Sequence, residues 1–194
     1  MKTDANGDFE QYYQNLLSTS EKQFKLPEYS KMNVVAPKFV LTNLNGDEVS
    51  SENLKGKGVV LYFFSPNYSN LIANSRDSIF NSMAIKNSDN KDLVFLGIDK
   101  TYIFEQDEIK REHIRTYKLK EFIAIKDYSF NILLDRLNYN PKNTGLSYYS
   151  VADDYSSGEI GQFYIIDKAG MVKYKSYSGT NFQRELKAAL ALAQ

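Results

Sequence analysis

Very few side chains in this 194-residue sequence could act as nucleophiles or proton carriers. There is no cysteine, which excludes thiolate nucleophiles, disulfides and thiolate metal sites. Ser65 and Ser69 follow a strongly apolar run, but a serine nucleophile needs a base held in position. The only histidine, His113, is predicted to lie on a charged helix well away from them. We therefore interpret Ser69 or Asn70 as the cap of a helix and predict no catalytic residue.

Metal and phosphate sites are also poorly supported by the sequence. One histidine cannot build a zinc site. Asp153, Asp154 and Glu159 could offer oxygen ligands to calcium, but their spacing does not match an EF-hand loop and favours a solvated acidic loop. Gly56 and Gly58 precede a strand, so they predict a turn and not a phosphate-binding loop. We expect no cofactor and no metal.

The charge balance limits the classes of partner. The chain carries 24 basic and 24 acidic residues, which argues against a protein built around nucleic acid or an anionic membrane. No apolar run reaches the roughly 18–20 residues that span a bilayer. The first residues lack the apolar core of a signal peptide, and a leader removed before Met1 is left open as an alternative.

The elements that would position these residues alternate between strands and helices. Helices are predicted at 9–24, 70–84, 105–117, 128–137 and 182–192. Strands are predicted at 39–42, 48–49, 59–64, 93–98, 122–125, 163–166 and 171–176. This order predicts an α/β fold, a mixed sheet with helices on both faces, preceded by an N-terminal helix and a strand hairpin. We divide the chain into a helix and connector at 1–35 and one domain at 36–194.

A polar, tyrosine-rich segment at 139–160 interrupts this alternation and is predicted to be an inserted loop. A loop of this length within a domain is usually functional or mobile. Tyr148, Tyr149 and Tyr155 could anchor a binding partner, because aromatic side chains bury much area at small entropic cost. They could equally pack onto the domain and hold the loop in place.

Four segments carry, in order, a family resemblance: APKFVLTNLNGDEVSSENLKGKGVVLYFFSP, LVFLGID, HIRTYKLKEFIAIKD and GQFYIIDKAGMVKYKSYSG. They resemble the opening hairpin with the first core strand, the second core strand, the approach to the central strand, and the terminal hairpin of the thioredoxin fold. The branch they resemble is that of the thiol-disulfide oxidoreductases and peroxiredoxins (AhpC/TSA, TlpA-like). The resemblance covers roughly residues 36–192.

The departures from the family pattern concern its reactive residues. The Cys-x-x-Cys positions of such relatives fall at Tyr68 and Leu71, and the position of their cis-proline falls at or beside Gly161. A helix N-terminus lowers the pKa of a thiol, whereas a tyrosine cannot replace a disulfide-forming sulfur and a leucine cannot ionise. The scaffold that would activate a sulfur is therefore expected to remain without the sulfur.

These features predict a catalytically silent, cysteine-free thioredoxin-like protein that acts as a binding or structural module. The alternative is an enzyme of the same family with a non-thiol mechanism at the Tyr68 edge. The candidate binding residues are Pro66, Asn67, Tyr68, Ser69, Leu71 and Gly161 at the degenerate active-site edge, with Tyr148, Tyr149 and Tyr155 in the loop. The expected partner is a protein or peptide and not a nucleic acid.

The resemblance also implies a location. Cysteine-free relatives with an added N-terminal helix look like envelope proteins of AT-rich bacteria, which favours a periplasmic protein or a lipoprotein. A cytoplasmic protein is the alternative.

Overall fold

The computed structural model describes residues 24–66, 71–139, 147–177 and 181–194, without the side chains of 71–74, 138–139 and 147–148. The predicted helix at 9–24 lies outside these ranges. The strands are β1 (Lys31–Val35), β2 (Val40–Asn43), β3 (Glu48–Ser50), β4 (Gly58–Phe64), β5 (Leu93–Asp99), β6 (Asn131–Leu134), β7 (Leu137–Tyr139), β8 (Ser147–Tyr149), β9 (Gln162–Ile166) and β10 (Met171–Lys175). The α-helices are α1 (Leu71–Lys86), α2 (Glu108–Lys126), α3 (Ser150–Asp154) and α4 (Phe182–Ala189).

Eight strands form one mixed sheet in the order β1-β10-β9-β4-β5-β6-β2-β3. β4 and β5 are parallel, as are β5 and β6, and the other neighbours are antiparallel. The remaining two strands, β7 and β8, pair only with each other. The predicted α/β architecture, with a mixed sheet and a terminal hairpin made by β9 and β10, is confirmed.

Strand β4 is the centre of the core, because every one of its residues is buried. Successive side chains of a strand point to opposite faces. Accordingly, Tyr62 and Phe64 belong to the apolar cluster under α1 and α4, whereas Leu61 and Phe63 belong to the cluster that includes α3. The continuous apolar run in the sequence is thus explained by burial on both faces of the sheet.

The region between β5 and β6 differs from the prediction. Helix α2 extends to Lys126, so the strand predicted at 122–125 is wrong, and the helix predicted at 128–137 is replaced by strands β6 and β7. Leu119 is fully buried in the core and Ile123 packs against it one turn later, which continues the helical register. The helix ends at Asp127, whose left-handed φ of 50° lets its N–H bond to the Ile123 carbonyl.

Two further segments have more regular structure than predicted. The end of the predicted connector forms β1, which pairs with β10 as an edge strand. The predicted loop at 139–160 contains β8 and α3 in its described part. Both segments are short and lack a long periodic pattern, which explains why the sequence did not reveal them.

Candidate functional site

The degenerate active-site edge lies where β4 and β5 end and β9 begins. Among the predicted residues, Pro66 follows β4 and is half-buried, and Gly161 precedes β9 and is buried. Leu71 begins α1, but its side chain lies outside the described structure. Asn67, Tyr68 and Ser69 lie outside the described residues, as does the side chain of Tyr148 in β8.

Gly161 holds the start of β9 against the end of β4. Its N–H donates a hydrogen bond of 2.7 Å to the carbonyl of Phe63. Its φ of +87° is a backbone conformation that other residues rarely adopt, and a Cβ atom built there would lie 3.0 Å from Nη1 of Arg76. No cis peptide bond occurs within the described ranges. Gly161 therefore positions the edge, with the Arg76 side chain directly beside it.

A buried ion pair lies at the end of β5. The carboxylate of Asp99 accepts a hydrogen bond of 2.6 Å from Nε of Arg115, and both side chains are almost fully buried. The same guanidinium donates to the carbonyls of Asp99 and Asp135, each at 2.5 Å. Burial opposes the charge of Arg115, but the carboxylates of Asp99 and Glu112 hold its pKa above the ordinary value. Arg115 thus joins the ends of β5 and β6.

Ser65, the nearest hydroxyl to the end of β4, belongs to the same network. Its Oγ lies 3.3 Å from Oγ1 of Thr101, which in turn donates to Asp99 at 2.5 Å. The Thr101 N–H donates to the same carboxylate oxygen at 3.1 Å. His113 is exposed on α2. Ser65 is therefore in contact with the Thr101 hydroxyl, which is itself bonded to Asp99.

The inserted segment is tied to this network through Asp135. The two oxygens of its carboxylate accept the N–H groups of Val151 and Ala152 at 2.9 and 2.8 Å, so it satisfies the start of α3. Burial raises the pKa of Asp135, while these hydrogen bonds and the charge of Arg115 lower it, and the net shift is upward. A carboxylate outside the insertion thus fixes its helix.

The tyrosines of the insertion contact the domain. Tyr149 donates from its hydroxyl to the Thr101 carbonyl at 2.5 Å, and its ring lies under the guanidinium of Arg115 at 5.5 Å. Tyr155 is only 5% exposed and donates to the carbonyl of Pro37 at 3.0 Å. These two side chains therefore pack onto the domain in the described structure and hold the insertion against the sheet.

Lys100 is a site residue that the sequence did not reveal. Its N–H bonds to the carbonyl of Phe64 at 2.9 Å, and its Nζ donates to the carbonyl of Ser157 at 2.6 Å. Burial lowers the pKa of Lys100. It lines an open cavity of about 380 Å³ together with Tyr149 and residues 156–158. The polar residues Asp99, Lys100 and Thr101 at the end of the buried strand β5 could have indicated a site in the sequence. Nothing in their types indicates which group Lys100 contacts.

A buried carboxyl group lies on the opposite face of β4. The hydroxyl of Tyr62 donates to Asp77 at 2.5 Å, within the cluster that also contains the stacked ring of Phe80. Burial raises the pKa of Asp77, against the opposing effect of hydrogen bonds from Tyr62 and Tyr128. A second buried polar pair, Tyr62 and Asp77, therefore lies beneath α1.

The described side chains include no group of three or more histidine, cysteine or acidic residues that could hold a metal ion. No helix of the described structure is long and apolar enough to cross a membrane.

The fold and this edge define a thioredoxin-like domain without redox thiols. The family model of the AhpC/TSA family matches residues 32–175, and the chain belongs to that family. No curated protein matches the sequence.

Solved structures of the same fold cover most of the chain. A Bacteroides thetaiotaomicron protein assigned as a protein disulfide isomerase has a TM-score of 0.61 and 18% identity, over 84% of this chain and 92% of that chain. A thiol:disulfide interchange protein of the thioredoxin family from Chlorobium tepidum has a TM-score of 0.55 and 18% identity, over 81% and 97%. A secreted disulfide oxidoreductase of Mycobacterium tuberculosis, homologous to E. coli DsbE, has a TM-score of 0.54 and 19% identity, over 79% and 95%.

Proposed function

We propose that this protein is a catalytically silent member of the AhpC/TSA family that binds a polypeptide at its degenerate active-site edge. The observation that carries the proposal is that the polar side chains at this edge are already hydrogen-bonded within the protein. Asp99, Thr101 and Arg115 bond to one another or to backbone carbonyls, and the sequence contains no thiol. Groups engaged in this way support a surface but are not free to attack a substrate or carry its protons.

The proposed contact surface is the turn that follows β4. Pro66 is half-buried at the start of this turn, and Asn67, Tyr68 and Ser69 are assigned to the surface from the match of strands alone. Working relatives of this fold dock an extended polypeptide beside their cis-proline, and loss of the sulfur leaves that docking edge available. Gly161 is buried with its N–H engaged, so its role in the proposal is to position the turn and not to contact the partner.

We place the protein in the cell envelope of its source organism, on the support of family resemblance. One solved structure of the same fold is described as a secreted disulfide oxidoreductase. A balance of 24 basic and 24 acidic residues fits a protein partner better than a nucleic acid.

The two parts of the proposal, catalytic silence and binding, are tested separately. Insulin-reduction and peroxide-consumption assays are expected to give the rate of buffer alone, and turnover above that rate would contradict catalytic silence. Affinity capture from a lysate of the source organism tests binding, with wild type compared with Tyr68→Ala. The control is Ile125→Ser, which changes an exposed residue at the far end of α2. A partner retained equally by all three proteins would show that the turn is not the contact surface.

A further inference from the structure

Three apolar side chains are exposed where the chain leaves β5 and begins α2. Phe104 is 91% exposed, Ile109 is 84% exposed and Tyr102 is 53% exposed. Ile103, between Tyr102 and Phe104, is buried, as is Thr101 just before Tyr102. Tyr102 and Phe104 therefore present their side chains to solvent on either side of the buried Ile103. A single exposed apolar residue is ordinary, but a cluster of large ones on one loop marks an interaction surface.

The backbone that presents these side chains is held in place. The Glu105 N–H bonds to the Ile103 carbonyl at 2.9 Å, and Nη1 of Arg111 donates to the Glu105 carbonyl at 3.2 Å. Asp107 caps α2 by accepting the Lys110 N–H at 3.0 Å. A surface that is already ordered loses little entropy when a partner binds.

This surface is continuous with the degenerate active-site edge. Thr101 touches Ser65 through their hydroxyl groups, and the Lys100 N–H bonds to the Phe64 carbonyl. The residues that end β4 are therefore joined to residues 100 and 101, and residues 102–109 follow these directly.

The charges around the apolar side chains indicate the chemistry of the partner. Asp107 and Glu108 are exposed and Glu105 is half-exposed, whereas Lys110 is the one exposed cation within residues 102–110 of the described chain. The buried Arg111 guanidinium bonds to the Glu105 carbonyl and offsets part of this charge, so that three carboxylates face two cations over residues 102–111. An anionic bilayer would be repelled by this charge, while a cationic segment would be attracted.

We propose that residues 102–109 form a docking surface for a polypeptide segment whose apolar side chains are flanked by lysine or arginine. Phe104 and Ile109 are the anchors, and Glu105, Asp107 and Glu108 select the flanking charge. The inference rests on the proposed function, because it names the class of partner that the adjoining edge would receive.

The test uses the full chain, labelled with nitrogen-15, and three synthetic peptides of equal length. Two peptides share an alternating leucine–phenylalanine core, with lysines at both ends of one and glutamates at both ends of the other. The third keeps the lysines and replaces the core with serine and glycine. We expect the first peptide alone to shift the amide signals of Tyr102, Phe104 and Ile109, and to bind more weakly as salt is added.

Two variants decide whether the anchors are correctly assigned. The double variant Phe104→Ser, Ile109→Ser is expected to bind the lysine-flanked peptide about tenfold more weakly or worse. Ile125→Ser is the matched control, since Ile125 is 80% exposed at the other end of the same helix, and its affinity should be that of wild type. All the altered side chains are exposed, so the amide spectra of both variants should otherwise remain those of the folded protein.

Several results would overturn the inference. Equal binding of the glutamate-flanked peptide would refute the charge selection, and binding to anionic vesicles in preference to the peptides would make the surface a lipid contact. If no peptide shifts any signal, the docking surface is absent. Shifts confined to the amide signals of Ser65 and of residues 67–69 would refute residues 102–109 as the anchor while supporting the proposed function at the edge.

Discussion

The buried pair of Asp99 and Arg115 gives the sharpest test of how the edge is built. Arg115→Met keeps an unbranched side chain but removes the charge and four hydrogen bonds, to the carboxylates of Asp99 and Glu112 and to the carbonyls of Asp99 and Asp135. Leaving one charge of a buried pair without its partner costs about 3–5 kcal/mol. Because a domain of this kind is stable by only about 5–15 kcal/mol, Arg115→Met should lie close to the limit of folding.

Urea unfolding of wild type, Arg115→Met and the double variant Asp99→Asn, Arg115→Met measures this cost. The double variant removes the unpaired charge and keeps an acceptor for Thr101, so it should recover part of the stability that the single variant loses. A loss below about 1 kcal/mol in the single variant would refute the reasoning, since that is the value of an exposed pair. A double variant less stable than the single one would show that the cost comes from packing and not from charge.

Two further predictions concern the core that supports the edge. Burial raises the pKa of Asp77 in the folded state above its ordinary value of 3.8. Between the unfolded and the folded pKa, the folded state therefore holds more protons than the unfolded state, and the free energy of unfolding falls as pH rises. The Asp77→Asn variant cannot ionise at this position and keeps an acceptor for the Tyr62 hydroxyl. In urea unfolding, its stability relative to wild type should therefore increase from pH 4 to pH 8. A difference that does not change with pH would contradict this prediction. Gly97→Ala places a Cβ atom in steric conflict with a ring carbon of Phe130 and should cost about 1–3 kcal/mol in thermal or urea unfolding. Gly158→Ala, which meets no atom within 4 Å, is its control, and equal stabilities for the two variants would show that the ring moves freely.

The fold was predictable where a strong apolar pattern meets clear turn residues. The run at 59–64 predicted a strand buried on both faces, and the turn at 167–170 predicted the terminal hairpin, because these signals are local. The second half of α2 was misread, since Phe122, Ile123 and Ile125 favour a strand by type. Ile123 packs against the core one helical turn after Leu119, and this contact favours the helix. The sequence alone does not show it.

The site was less predictable than the fold because its interactions join distant residues. Asp99 and Arg115 are 16 residues apart, and their pairing follows only once α2 is known to pass over the end of β5. The loop tyrosines looked equally suited to binding or packing, and only the acceptors at Thr101 and Pro37 separate the two outcomes for Tyr149 and Tyr155. The missing thiol, by contrast, is a property of composition and was fully visible.

The position of β1 in the sheet has a consequence for synthesis of the chain. β1 pairs only with β10, and β9 must lie between β10 and the central strand β4. While a ribosome is still making residues before 162, one side of β4 and the whole of β1 therefore have no partner strand. An unpaired strand as apolar as β4 is a template for aggregation. The sheet is completed only after the terminal hairpin emerges, so the β9 side of β4 stays unpaired until the last hairpin has been made.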